Sequence, residues 1–261
     1  MRGIGAIYRR EINSYFTSPV AYVIITAFLF IAGFIFYNLL SYFALQCIQS
    51  VRYAQLYHTV PPPMNINSWV VTPFMQNLAF TFIIIIPLLT MRLFAEEKRQ
   101  GTMEMLLTAP VSSWEIILGK FLAATTVFLV MLALTFIYQI MLVIYGKPDI
   151  PPVLGGYLGI FLFGLALIAL GMFISSLTKN QIVAAFISIV LFLFLWIINW
   201  SSIFTTRTAI QDTLSYLSIT EHLREFIKGV VDTKSLVFFL SLTFLGLFLT
   251  DKSLQIWRWK G

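Results

Sequence analysis

The chain has 261 residues, of which 59% are hydrophobic and only 11% are charged, and its mean hydropathy is +0.88. A soluble domain carries roughly a quarter charged residues, so this composition excludes a soluble globular protein and indicates that lipid is the main solvent. The single cysteine, Cys47, cannot form a disulfide within the chain.

The N-terminal segment has the pattern of a helix that lies in a membrane surface. Its apolar residues recur at helical spacing, while Arg9 and Arg10 take the opposite face. We expect residues 1–18 to form this interfacial helix and the chain to enter the bilayer after Pro19. Such a helix either orients the first span or docks a partner, and the pattern fits both roles.

Six apolar segments follow, each close to the ~20 residues that a helix needs to cross the hydrocarbon core. They cover residues 20–45, 71–91, 121–145, 153–177, 182–203 and 236–250. None contains Asp, Glu, Lys or Arg, any of which costs ~2.5 to 3.5 kcal/mol at mid-membrane. We therefore predict an all-α membrane protein in which residues 1–261 form one transmembrane domain with six spans.

The loop over residues 94–118, between the second and third segments, carries the most information. Gly101 is expected to end the helical extension of the second span. Residues 102–107 can then form a short amphipathic helix, which Pro110 stops.

The helix of the third span is predicted to begin at a capping box. Ser112 and Glu115 stand at the spacing at which each side chain caps the backbone N–H of the other residue. The prediction is two helical extensions joined by a transverse helix. An amphipathic tip of this kind packs either on a protein partner or on lipid headgroups.

A long outer segment, residues 204–234, separates the fifth and sixth spans. It contains an apolar stripe at helical spacing that faces away from charged residues. The stripe consists of Ile219, Leu223, Phe226, Ile227 and Val230. We predict an outer amphipathic helix, which acts either as a gate or as a lid over the ends of the spans.

The fourth span contains Gly155 and Gly159 at GxxxG spacing, which allows close approach of another helix. The neighbour is either a helix of the same subunit or one across a dimer seam.

The distribution of basic residues predicts the orientation. With the N-terminus inside, eleven lysines and arginines fall on the inner side and six on the outer side. Since basic residues are retained in the cytoplasm, both termini are expected to be cytoplasmic.

The sequence lacks the residues that several classes of functional site require. The two histidines, His58 and His222, form no metal-binding spacing, and the sequence Gly119-Lys120 lacks the first glycine of a phosphate-binding loop. The spans hold no ionisable side chains for ion-coupled transport and no ring of polar residues for a channel. The chain is therefore expected to bind no cofactor or metal and to catalyse no reaction. Energy for any transport would then have to come from a partner protein.

The alternative is a membrane scaffold that anchors a cytoplasmic partner through the loop over residues 94–118 and transports nothing.

One stretch of the sequence resembles a known family. The run AEEKRQGTMEMLLTAPVSSWEIILGK, residues 95–120, resembles the cytoplasmic signature of type-2 ABC export permeases. Residues 179–184 and 222–243 are similar to the gliding-motility permease subfamily. The resemblance covers essentially the whole chain.

The resemblance implies a permease subunit in the cytoplasmic, or inner, membrane of an ATP-driven exporter. Its N-terminal helix would be an elbow helix, and its short transverse helix a coupling helix. ATP and Mg²⁺ would bind to a separate ABC ATPase subunit. Further partners would be membrane lipid and a second permease copy or a paralogous subunit with an extracytoplasmic domain, and no nucleic acid partner is expected. The residues expected at the ATPase interface are Arg9, Arg10, Glu11, Glu96, Glu97, Arg99, Gly101, Thr102, Glu104, Leu106, Leu107 and Pro110.

Overall fold

The computed structural model describes residues 2–60, 63–104, 111–146, 148–203 and 218–260, with backbone alone at residues 2, 199–203, 259 and 260. Its helices are α1 (Arg2–Thr17), α2 (Pro19–Tyr57), α3 (Thr72–Thr90), α4 (Arg92–Gln100), α5 (Ser113–Gly146), α6 (Ile150–Leu177), α7 (Gln181–Ile203), α8 (Ile219–Ile227) and α9 (Thr233–Lys260). A π-helical turn, Asn67–Val71, leads into α3. The described part of the chain contains no strand, which confirms the all-α prediction.

Six helical stretches are long and apolar enough to cross a membrane, which confirms the predicted number of spans. They are Pro19–Tyr57, Asn67–Gln100, Ser113–Gly146, Ile150–Leu177, Gln181–Ile198 and Thr233–Arg258. Most run past the predicted apolar segments because the flanking residues continue the helices into more polar surroundings.

The break between α1 and α2 lies where the sequence predicts it. Ser18 adopts an extended conformation, and its hydroxyl accepts a hydrogen bond from the N–H of Val20 at 3.4 Å. Pro19 takes the first helical position, where its missing N–H has no cost. The interfacial location of α1 stays a prediction.

The longest helix is α2, with 39 residues. Its buried side chains in the first half include Phe28, Ala32 and Phe36, whereas Ala54 is the buried residue of the second half. The helix continues to Tyr57 because residues 46–57 contain neither glycine nor proline. At 1.5 Å per residue it is about 58 Å long, nearly twice the hydrocarbon thickness.

The centre of the bundle is α6, which packs against α3, α4, α5, α7, α8 and α9. It carries no charged residue, and 78% of its most apolar stretch is buried, the largest share among the six spans. A helix that is apolar on all sides is stable only where other helices or lipid surround it. The site described below lies at one end of α6.

Aromatic rings connect α2, α3 and α5 across the interior. The ring of Phe82 stacks on Phe28 at 4.7 Å between centroids and meets the edge of Phe128 at 4.8 Å. Such pairs contribute about 0.5 to 1.5 kcal/mol beyond their burial.

The amphipathic helix α8 packs on the glycines of α6. A Cβ atom on Gly159 would lie 2.5 Å from the Cβ of Phe226, and one on Gly155 would lie 2.5 Å from the carbonyl oxygen of Phe226. The predicted GxxxG face is therefore occupied by a helix of the same chain.

The predicted apolar stripe is buried at Ile219, Leu223, Phe226 and Ile227, but not at Val230, which is 58% exposed. The stripe ends early because α8 stops at Ile227 and Gly229 turns the chain with a φ of 84°.

Candidate functional site

A buried lysine at the start of the third span links three helices. The ammonium group of Lys120, on α5, donates to Glu11 Oε1 of α1 at 2.8 Å and to Glu97 Oε1 of α4 at 2.9 Å. Lys120 is 1% exposed and Glu97 is 8% exposed. We call these three residues the Lys120 cluster.

The cluster is stable only as a unit. Charges taken out of water cost several kcal/mol each unless a close partner compensates, and removal of one partner typically costs about 3 to 5 kcal/mol. The second carboxylate oxygen of Glu97, Oε2, is buried without a hydrogen-bond partner among the described residues. The ammonium group of Lys120 therefore joins α1, α4 and α5, in addition to the packing of α1 on α5.

A polar cavity of about 190 Å³ opens beside the cluster. Helices α1 and α4 supply most of its walls, and the lining includes Arg10, Glu11, Glu96, Glu97, Thr102 and Lys120. Five of the residues predicted for the ATPase interface thus surround one cavity, although they come from segments far apart in the sequence.

Tyr15 is buried in the wall of this cavity. Its hydroxyl donates to the carbonyl oxygen of Leu89 at 2.8 Å, which ties α1 to the end of α3. Burial raises the pKa of the Tyr15 phenol, and the carboxylate of Glu11 adds to the shift. The phenol therefore remains a neutral hydrogen-bond donor.

The second span is interrupted between α3 and α4, at Met91. The hydroxyl of Ser175, on α6, accepts from the N–H groups of Phe94 and Ala95, both at 3.1 Å, and donates to the carbonyl of Met91 at 2.9 Å. In a continuous helix the N–H of Ala95 would donate to that carbonyl. A side chain inserted into the hydrogen-bond ladder bends a helix, so α4 is a separate segment attached to α6.

The start of the loop after α4 follows the sequence prediction. Gly101 ends α4 with a φ of 72°, a conformation that glycine adopts without steric cost. Residues 102–104 are helical, and Met103 is 1% exposed.

The capping box is also confirmed. The N–H of Ser112 donates to Glu115 Oε2 at 3.1 Å, and the N–H of Glu115 donates to Ser112 Oγ at 3.2 Å. Glu115 also approaches α1, because a Cβ on Gly3 would lie 3.1 Å from its carboxylate.

The structure separates the predicted interface residues into three groups. Glu11 and Glu97 are bound to Lys120, and Glu96 is paired with Arg92 at 3.2 Å. Five others are exposed, and they are Arg9, Arg10, Arg99, Gly101 and Glu104, while Thr102 is half-buried. Leu106, Leu107 and Pro110 lie outside the described residues.

Sequence reasoning missed Lys120 and Ser175. The charge pattern identified Lys120 only as a basic residue of the inner side. However, Lys120 directly precedes an apolar span, and Glu96 and Glu97 lie at the end of the preceding span. That combination could have indicated a buried ion pair. Ser175 carries no local signal, because its partners are backbone groups of another helix.

A second polar cluster lies at the opposite end of the bundle. The Nδ1 atom of His222, on α8, is 2.9 Å from Ser235 Oγ of α9, and that hydroxyl donates to Glu225 Oε2 at 2.9 Å. The His222 ring stacks on Phe238 at 4.2 Å. These contacts hold α8 against α9. No group of three potential metal ligands occurs in the described ranges.

Six apolar helices with a charged cluster at one end define the class, a multi-pass membrane protein. The family model for ABC-2 family transporter protein matches residues 5–250. The chain belongs to this family, whose members are permease subunits of ABC transporters without an ATPase site of their own. The predicted resemblance is therefore confirmed at the level of the family, and the gliding-motility subfamily stays a prediction.

The chain is similar to a curated protein of Escherichia coli. It is 30% identical over 125 residues to the probable multidrug ABC transporter permease YbhR of strain K12, and to the same protein of O157:H7. The matched region covers 48% of this chain and 33% of the relative, so the chain matches only a third of the length of that protein.

Proposed function

We propose that this chain is the membrane-spanning permease subunit of an ATP-driven exporter in the cytoplasmic membrane. It couples ATP hydrolysis on a separate ABC ATPase subunit, which binds ATP and Mg²⁺, to movement of a substrate. It acts as a pair with a second copy or with a paralogous permease subunit that has an extracytoplasmic domain.

The observation that supports this proposal most is the Lys120 cluster. It connects α4, which leads into the loop at residues 101–112, with α1 and with the third span. A push on that loop would reach all three helices through one buried ammonium group. The Ser175 joint at Met91 ties α4 to α6, so a displacement of α4 would also reach α6.

The exposed arginines and the helical start of the loop provide the contact surface for the ATPase. Arg9, Arg10, Arg99 and Glu104 are exposed, and Arg10 also lines the cavity. The two buried glutamates of the cluster act in transmission rather than in direct contact.

The test replaces the apolar residues of the loop. Each ABC ATPase subunit of the source genome is co-expressed with the chain, and the one that co-purifies is used. Leu106 and Leu107, if buried in the ATPase, contribute ~1.5 to 3 kcal/mol each. Leu106→Asp with Leu107→Asp should therefore weaken association by at least two orders of magnitude, at 1.4 kcal/mol per tenfold.

The matched control is Val230→Asp with Val231→Asp, which changes two exposed apolar residues at the other end, 58% and 54% exposed. This variant should bind the ATPase and stimulate its turnover like the wild type. If the loop variant also retains co-purification and coupled turnover, residues 101–112 are not the coupling element.

The orientation is tested by cysteine labelling in a Cys47→Ser background. Ser14→Cys and Lys252→Cys should resist an impermeant thiol reagent in intact cells, whereas Ser68→Cys should react. All three positions are exposed, so access depends on sidedness. Labelling of Ser14→Cys before lysis would place the N-terminus outside.

A further inference from the structure

One tryptophan near the end of α9 lies against two lysines from different segments. The ammonium group of Lys98, on α4, is 4.6 Å from the centroid of the Trp257 ring, and that of Lys179 is 5.6 Å from it. Contacts of this kind hold a cation over the electron-rich face of the indole. We call Lys98, Lys179 and Trp257 the Trp257 clamp.

The positive charge of the clamp is not neutralised by the protein. Within the described part of the chain, neither lysine forms an ion pair, and Lys98 donates to the carbonyl of Ser176. The acidic residue of α9, Asp251, is 3% exposed and accepts from the side chain of Gln255. Two like charges beside one ring are unfavourable unless an anion lies close by.

The clamp lies at the membrane surface. Lys179 belongs to the turn between α6, which ends at Leu177, and α7, which begins at Gln181. Since both helices are spans, this short turn must lie where they leave the hydrocarbon core. The ring of Trp257 is within cation–π distance of both Lys179 and Lys98, so all three residues lie at the same depth. That depth is the level of the phospholipid headgroups.

The surface around the clamp suits acyl chains. Leu177 is 61% exposed, Ile182 is 77% exposed and Ile256 is 57% exposed. Leu177 and Ile182 lie on either side of Lys179 in the chain, and Ile256 directly precedes Trp257. An apolar wall beside an unneutralised basic group fits an amphiphile with a negative head, and indole rings favour the same interface.

We propose that the Trp257 clamp binds the headgroup of an anionic phospholipid, whose phosphate contacts the exposed ammonium group of Lys179 while its chains lie against α7 and α9. Lys98, which is 5% exposed, adds its positive charge beside the ring of Trp257. The lysines supply charge, and Trp257 fixes their ammonium groups at one place. This inference does not depend on the proposed transport function.

The experiment measures lipid selectivity. The purified protein is exchanged into nanodiscs that contain equal amounts of phosphatidylglycerol and phosphatidylcholine, and lipids that remain bound after release into detergent are counted by native mass spectrometry. The wild type should retain more phosphatidylglycerol than phosphatidylcholine. Lys179→Gln, in an exposed turn, should lower this preference about fivefold, and Lys179→Arg should preserve it.

Trp257→Leu separates a built site from general attraction between charges. It keeps every charge but removes the ring, so a specific clamp predicts a reduced preference. The matched control, Lys228→Gln with Lys234→Gln, removes two exposed charges at the other end and should behave like the wild type.

Three results would overturn the proposal. Equal effects of Lys179→Gln and the control would indicate diffuse attraction without a site. Displacement of the lipid by excess inorganic phosphate would indicate a site for free anions. Unchanged lipid preference in Lys179→Gln, together with lost co-purification of the ATPase, would assign the clamp to the protein partner.

Discussion

At one end of the bundle a buried lysine holds α1, α4 and α5 together through two carboxylates, while at the other end α8 lies so close to α6 that no side chain fits between them at Gly159. The first contact is made by long charged side chains, although α1 also packs closely on α5 beside them, since a Cβ on Gly119 would lie 2.8 Å from Ile7 Cγ2. The second is made by backbone and aromatic atoms at close packing, which has no alternative arrangement nearby. We therefore expect movement at the Lys120 end, whereas α6 and α8 are expected to act as a fixed platform.

The largest effect is expected from Lys120→Met, which leaves Glu11 and Glu97 without their cation. The loss should be about 3 to 5 kcal/mol, which corresponds to a fall in Tm on the order of 10 °C in detergent. The control Lys234→Met, at an exposed site, should remain within about 0.5 kcal/mol of the wild type.

The reason for that loss can be checked with Glu11→Gln and Glu97→Gln added to Lys120→Met. Because the triple variant has no orphaned charge in the cluster, it should recover most of the stability. A triple variant no more stable than Lys120→Met would show that the charges are not the cause.

Gly159→Val should loosen the platform instead. The new side chain meets the Cβ of Phe226, which is 2.5 Å from the ideal Cβ position, and overpacking costs about 1 to 3 kcal/mol. Hydrogen exchange should increase in residues 219–228 and stay unchanged in α1. Gly5→Val is the control, since nothing lies within 4 Å of its Cβ. Faster exchange in α1 in the Gly159→Val protein would mean that the two ends are not independent.

Ser175→Ala tests the joint between α3 and α4. Loss of the hydroxyl leaves two buried N–H groups without their acceptor, at a cost of about 1 to 3 kcal/mol. Ser188→Ala is the matched control, because that buried hydroxyl bonds only within its own helix, to the carbonyl of Ala184. Equal melting temperatures for Ser175→Ala and Ser188→Ala would show that the Ser175 hydroxyl does not stabilise the joint between α3 and α4.

The smallest effect is expected from Ser235→Ala, which removes the links to His222 and Glu225. The cost should be about 1 kcal/mol, because the exposed Glu225 carboxylate regains water. Exchange of α8 amides should increase slightly, and Ser241→Ala, at an exposed position of α9, should have no effect. A larger change than that of Gly159→Val would mean that hydrogen bonds, not close packing, fix α8.

What the sequence could predict was local. The end of α4 at Gly101, the capping box at Ser112 and the apolar face of α8 each depend on residues within a few positions of one another. The number of spans follows from the same kind of signal, because hydropathy is summed over about 20 neighbouring residues.

What the sequence could not predict depends on which distant residues meet. Lys120 and Glu11 are 109 positions apart, and nothing in either segment selects the other. Glu97 was expected at the ATPase interface because of the family resemblance, but its carboxylate is buried against Lys120. Ser175 was unpredictable for the same reason, since its hydroxyl replaces a backbone acceptor in a helix that precedes it by about 80 residues.

The length of α2 amplifies small changes in its tilt at the far end of the helix. Most of its buried residues lie between Ala21 and Phe36, and its last residue, Tyr57, lies about 32 Å beyond Phe36 along the same uninterrupted axis. A tilt of about one degree at the packed part therefore moves the tip by about 0.5 Å, and a tilt of about five degrees moves it by about 3 Å. Small movements of the bundle are thus magnified on the side of the membrane where α2 ends.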